Sequence, residues 1–202
     1  MSSHRWRFVG AVLVAAAVLP GLAADAPQPS RRDADLLKQK LAGIVLSGAA
    51  PSGEPHRTAV SENELNAFLL HEMAPRFPPA VTQPSISMLG DGRVVARAVV
   101  DLERVRGEMS GAGPLNPAGL LSGRLPVEGR GILHADGGVA RVELESATVG
   151  GVPVPVTLLE PIVSYYTRSP RYPAGISLDD SFELPARIRE IRIERGRAIV
   201  VQ

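Results

Sequence analysis

The sequence predicts an α+β fold, a strongly curved antiparallel sheet built from hairpins and wrapped around amphipathic helices. Three observations carry this expectation. Between residues 32 and 73 apolar residues recur at helical spacing. From residue 80 the period shortens to two. The period-two segments come in pairs around the turn sequences GDG at 90–92 and DGG at 136–138.

Residues 1–24 read as a targeting segment that precedes this fold. Arg5 and Arg7 form a positive start, Phe8 to Leu19 is a twelve-residue apolar run, and Pro20 to Ala24 supplies small residues. Cleavage is expected after Ala23, Ala24 or Ala26, which implies a periplasmic or secreted protein. An uncleaved N-terminal anchor is the alternative, but the run is short for a bilayer span. Removing residues 1–24 takes two arginines and no acid, leaving 20 basic and 21 acidic residues. That balance lacks the basic surface nucleic acid needs and the polybasic patch of a membrane-surface binder. No tryptophan remains after Trp6, so a stacking platform for bases is poorly supplied. Without cysteine there is neither a disulfide nor a site for N-terminal lipid modification, and about 178 residues suffice for one core.

Residues 25–31 read as a disordered tail, with a single domain over 32–202. The first helix carries Leu36, Leu37, Leu41, Ile44 and Val45 on one side and stops at Gly48, followed by a loop over 48–56. The second helix has the clearest local code. Ser61 and Glu64 have capping-box spacing, Val60 and Leu65 form a hydrophobic staple, and Leu65, Phe68, Leu69 and Met73 share a face that ends at Pro75. Strands follow at 85–89 and 93–104. Val94, Ala96, Ala98, Val100 and Leu102 share the face turned toward the core, with Arg97, Asp101 and Glu103 on the other.

Residues 107–123 form a Gly- and Pro-rich loop with a helical turn at 117–121. A second hairpin runs from Arg124 to Ala135 and from Val139 to Val149. In GGVPVPVTLLEPIVSYY, residues 150–166, an extended edge segment with Pro153 and Pro155 leads into an apolar helix. Two starts fit that helix: Thr157 with Glu160 three residues on, or Glu160 followed by Pro161. Leu158 or Leu159, Ile162, Val163 and Tyr166 form its stripe. A short strand within 176–184 and a hairpin of 187–193 with 198–201 close the chain.

The residues offer little catalytic chemistry. GEMSGAG at 107–113 lacks nucleophile-elbow spacing, and His56, His71 and His134 stand isolated. No paired-histidine or EF-hand pattern occurs, and Asp179, Asp180 and Glu183 read as a solvated turn. No metal or cofactor is expected. What stands out is apolar surface with small residues under it. Ala96 and Ala98 face inward on one strand, and Gly129 and Gly131 do so on the next beside Leu125, Val127 and Leu133. Either a helix packs closely there or a ligand fills the space.

The segments TAVSENELNAFLL at 58–70, GRVVARAVVDLERV at 92–105, GGVPVPVTLLEPIV at 150–163 and FELPARIREIRI at 182–193 resemble, in pattern and order, bacterial tubular lipid-binding (TULIP-like) periplasmic domains. The resemblance implies a curved sheet around a helix, enclosing an apolar groove for a lipid. Larger relatives pair two such units, whereas this chain is long enough for one. The implied function is non-enzymatic lipid binding or transfer, with transient membrane contact. Strand and helix faces select the groove lining: Val94, Ala96, Ala98, Val100 and Leu102 from the sheet, and Phe68, Leu69, Leu158, Ile162, Val163 and Tyr166 from helices. Tyr165, Tyr166 and Arg168 are candidates for its mouth. The alternative is an envelope interaction protein using the helix at 157–167 as a partner surface. The sequence does not set an oligomeric state.

Overall fold

The computed structural model describes residues 29–50, 54–108, 122–168 and 172–202. The targeting segment, the beginning of the tail and the expected turn at 117–121 lie outside them. The architecture is α+β, with four α-helices and two antiparallel sheets among the described residues. Among the described residues no helix is long and apolar enough to cross a membrane.

Helix α1 spans Arg31–Ala49 and opens on a capping box in which Ser30 and Asp33 exchange side-chain and backbone hydrogen bonds. Its buried face is Ala34, Leu37 and Ile44, with Leu41 beside them. Leu36 and Val45, expected on that face, are exposed. Gly48 does not stop the helix either. A Cβ there would stand 2.2 Å from the carbonyl oxygen of Ala186, so its glycine lets α1 lie against that loop.

Helix α2 (Glu62–His71) has the predicted capping box, with Ser61 and Glu64 as its two halves. Glu64 also accepts hydrogen bonds from Lys40 Nζ at 2.7 Å, which ties α2 to α1. The residues leading into the N-cap, to which the sequence assigns no element, are extended: Arg57–Ser61 is strand β1. It pairs with β9 (Arg197–Val201), which pairs in turn with β8 (Glu190–Glu194), giving a three-stranded sheet in the order β1-β9-β8. The closing hairpin is therefore where the sequence places it, and it carries an additional strand.

The larger sheet runs β2 (Val81–Gly90), β3 (Arg93–Asp101), β4 (Arg124–Asp136), β5 (Val139–Val149), β6 (Val152–Pro153), with β7 (Phe182–Glu183) also on β5. A bridge between Leu89 and Arg195 links it to the smaller sheet. The strand expected to reach residue 104 ends at Asp101. There the Asp101 carboxylate accepts the Arg104 N–H at 3.0 Å, and helix α3 (Leu102–Glu108) begins. Leu102 is thus a helix residue, not part of the sheet row assigned to it.

Two irregularities shape the large sheet. In the β4–β5 ladder Arg130 faces Ser146, but Gly131 faces Leu144, so Glu145 is an extra, bulged residue. The bulge shifts the inward alternation of β5 from Ala140, Val142 and Leu144 to Ala147 and Val149. It also explains Gly131, where a Cβ would stand 2.4 Å from the Glu143 carbonyl oxygen. The second irregularity is the free edge of β2, which α2 closes with side chains. Asn66 donates to the Ile86 carbonyl at 2.8 Å and accepts the Ile86 N–H at 2.7 Å, while Glu62 accepts the Met88 N–H at 2.6 Å. Asn66→Ala leaves both Ile86 groups without these partners. It should lower unfolding free energy by about 2 kcal/mol, read from a shifted urea midpoint at constant m-value.

Helix α4 spans Val156–Thr167. Neither expected start is used: Pro155 is the N-cap position without a side-chain hydrogen bond, and Pro161 lies inside the helix. Glu160 instead accepts the Ser177 hydroxyl at 2.9 Å, so its carboxylate holds the following loop rather than the helix start.

Candidate functional site

Side chains from helices α1, α2, α3 and α4 and from one face of the large sheet meet in a single apolar cluster. Phe68, Leu69, Ala98, Val100 and Leu102 are buried in it, and Ala96, Ile162 and Tyr166 pack against it half-buried. Eight of the eleven residues expected to line a groove are therefore in one place. The other three are not. Val94 packs in a second cluster with Met88, Ile193 and Ala198 beside the smaller sheet. Val163 is buried with Leu159 on the inner side of α4. Leu158 is 39 % exposed, so Leu159 rather than Leu158 carries the buried stripe.

The cluster also draws in residues that strand and helix faces alone did not select. Leu37 enters from α1, Phe77 from the short turn after α2, Val105 from α3, and Val127 and Val149 from β4 and β5. Val105 became visible only once Asp101 had started a helix. Phe77 carries no periodic signal, although its isolation between prolines marks a large apolar group in a turn.

Helix α4 is fastened to this cluster through its C-terminal half. The Tyr165 hydroxyl donates to the Glu108 carbonyl at 2.7 Å, and the Tyr166 hydroxyl donates to Glu108 Oε2 at 2.8 Å. The two rings meet edge to face with centroids 5.2 Å apart, and the Arg168 guanidinium lies 5.5 Å from the Tyr165 centroid. Burial, reinforced by the hydrogen bond to Glu108, raises the Tyr166 phenol above its usual range. It therefore donates to Glu108 across the physiological pH range. The mouth residues read from the sequence thus lie together, on a partner, Glu108, that the sequence did not indicate.

The opposite face of the large sheet carries charged side chains around the fully buried Val95. Glu128, its side chain only 8 % exposed, is flanked by Arg97 at 3.3 Å and Arg130 at 2.6 Å. A shallow depression of about 330 Å³, open to solvent, lies beside them between Arg93, Arg130 and Glu145. The histidines are dispersed: His56 is exposed, His71 Nε2 is 3.2 Å from the Pro29 carbonyl, and His134 Nε2 is 3.0 Å from Glu143. Among the described residues no three His, Asp or Glu side chains are grouped to hold a metal ion. Asp180 accepts the Ser177 N–H at 2.8 Å and so shapes a turn.

No protein family and no curated protein matches this chain. The arrangement offers an apolar layer between sheet and helices, small side chains at Ala96 and Ala98 on its floor, and a proline-containing helix tied down by two hydroxyl groups.

Proposed function

We propose that this protein is a non-enzymatic, extracytoplasmic lipid-binding or lipid-transfer protein, with α4 as the element that yields to the ligand. The observation that carries the reading is the way α4 is held. Its Ile162, Tyr165 and Tyr166 pack against the cluster that holds Ala98 and Val127, yet its first turn has no side-chain cap and Pro161 removes a backbone donor from its middle. The hydroxyl groups of Tyr165 and Tyr166 both tie it to Glu108 of α3. Displacing such a helix would uncover apolar surface of that cluster, on which an acyl chain gains about 0.8 kcal/mol per buried methylene.

A fluorescent fatty acid titrated into the delipidated chain is expected to bind at about one equivalent. Native mass spectrometry of the purified protein should show co-purifying lipid. The Tyr165→Phe/Tyr166→Phe variant removes both hydroxyl ties, each contributing about 1 kcal/mol, and should release the probe about tenfold faster or more. A lipid-free protein that takes up no probe would sink this reading.

A second reading rests on a separate observation. Val152 and Leu158 are 55 % and 39 % exposed beside the exposed Pro153 and Pro155, forming an apolar knob at the entry to α4. That knob suits contact with a membrane surface during transfer or, in an envelope interaction protein, with a protein partner. A stoichiometric protein co-isolated with a lipid-free chain favours the latter.

A further inference from the structure

The two edges of the larger sheet are finished differently. On the β2 side, Asn66 and Glu62 occupy backbone groups of Ile86 and Met88. On the β5 side, β6 pairs with Val149 and Thr148, the Val154 N–H just after it donates to the Ala147 carbonyl, and β7 pairs with Val139 and Ala140. Since β4 occupies the other side of β5 throughout, β6 and β7 share one edge, and both run antiparallel to β5. They are the two ends of a single interrupted strand, whose middle is replaced by the excursion through α4.

Residues 141–146 of β5 lie in the gap, where no strand among the described residues pairs with them on this side. Hydrogen bonding in an antiparallel ladder alternates between the two edges. The Leu184 N–H donates to the Gly138 carbonyl, and Ala140 faces Phe182. Counting on by two places the N–H and C=O of Val142 and Leu144 on the open edge. Arg141, Glu143, Glu145 and Ser146 are exposed and Val142 and Leu144 are half-exposed, so the surface is accessible on both faces.

We propose that this gap is a docking site for a short extended peptide segment of a partner protein, bound by strand addition and carrying alternating apolar and basic side chains. Length argues for a short segment. Six residues span about 20 Å, and β6 and β7 block the line at either end, so an entering chain must leave the sheet plane after about that distance. A second copy of this chain fails the same test, because its own β5 runs over the longer stretch Val139–Val149. Side-chain chemistry argues for the pattern. Val142 and Leu144 present an apolar shelf on one side of the sheet. On the other stand Glu143 and Glu145; Glu143 is shared with His134 and Arg141, while Glu145 has no ion pair among the described residues. Acidic side chains along an edge deter indiscriminate pairing and favour a basic strand.

The test uses the full chain and two labelled hexapeptides, one alternating lysine with valine and one alternating glutamate with valine. In the free protein the Val142 and Leu144 amides should exchange hydrogen rapidly, and the lysine peptide should slow them. Fluorescence anisotropy should show the lysine peptide binding about tenfold more tightly than the glutamate peptide, the effect of roughly one favourable charge-assisted contact. Glu143→Lys/Glu145→Lys should reverse that order. Val142→Pro removes a donor that faces only the open edge and should weaken binding about tenfold. Methylating the backbone nitrogens along one edge of the lysine peptide should abolish binding to the unaltered protein, a check that does not depend on how the variants fold. Slow exchange at Val142 and Leu144 in the free chain, equal affinity for the two peptides, no binding of either at millimolar concentration, or undiminished binding of the methylated peptide each overturns the proposal.

Discussion

Gly131→Ala is expected to destabilise the protein by about 3 kcal/mol, lowering the melting temperature by about 10 °C for a chain of this size. The added methyl would stand 2.4 Å from the Glu143 carbonyl oxygen, a backbone atom in the neighbouring strand. A flexible side chain could turn aside, but this oxygen moves only with the strand. Relief requires opening the bulge at Glu145, and that returns the far half of β5 to the wrong inward alternation. Ala147 and Val149 would leave the side of the sheet on which they are buried. Gly107→Ala is the matched control. It lies in α3, a Cβ there meets nothing within 4 Å, and alanine should be neutral or stabilising by up to about 1 kcal/mol. Similar losses for the two variants would show that the bulge is not what requires Gly131.

Removing the Glu64 carboxylate should have an effect of comparable size. This group closes the α2 capping box and holds Lys40 Nζ with both oxygens, while Lys40 also donates to the Ala59 carbonyl at 2.7 Å. Glu64→Ala deletes the side-chain half of the capping box and leaves a half-buried ammonium without its counter-charge, at a cost of about 3 kcal/mol. Burial is the largest influence on the Glu64 carboxyl and raises its pKa. The hydrogen bonds from Lys40 and from the Ser61 backbone, with the Lys40 charge, together outweigh it and hold the pKa below the usual 4.5. Because the folded value is depressed, the ionised group contributes fully above about pH 4.5. That contribution fades as pH falls through the lower folded value. Urea midpoints for wild type and Glu64→Gln should therefore differ most at neutral pH and converge toward pH 3. A difference independent of pH would place the effect in packing rather than charge.

What could be read in the sequence was what neighbouring residues decide. The capping box at Ser61 and Glu64, the hairpin turns at 90–92 and 136–138 and the inward row Val94, Ala96, Ala98, Val100 depend on residues within a few positions of one another. Strand β1 was missed because RTAVS is too short to show a period, and its extended form is supplied by β9 from the far end of the chain. The α3 helix was hidden by a strand pattern that continued through Leu102. Only the Asp101 side chain, three residues before the amide it caps, gives it away. For the candidate site, apolar faces gave most of the cluster, while its fastening did not show. Glu108 is an ordinary acid in the sequence and gains its role only when α4 returns to meet it.

The pairing of β1 with β9 bears on the order in which the molecule forms. Arg57 faces Val201 and Ser61 faces Arg197, so the smaller sheet cannot close until residues 197–201 have been synthesised. The Gln202 side-chain amide, which donates to the Ile44 and Ala186 carbonyls, follows them. Contacts of such long sequence separation are slow to form. Until then β1 has an unsatisfied edge and the Ile44 side of α1 lacks Val200, which packs with it. A ribosome-bound chain in which residues 197–202 have not yet been made should therefore remain open to proteases and holdase chaperones, although α1 to α4 and the hairpins of the larger sheet have already been made.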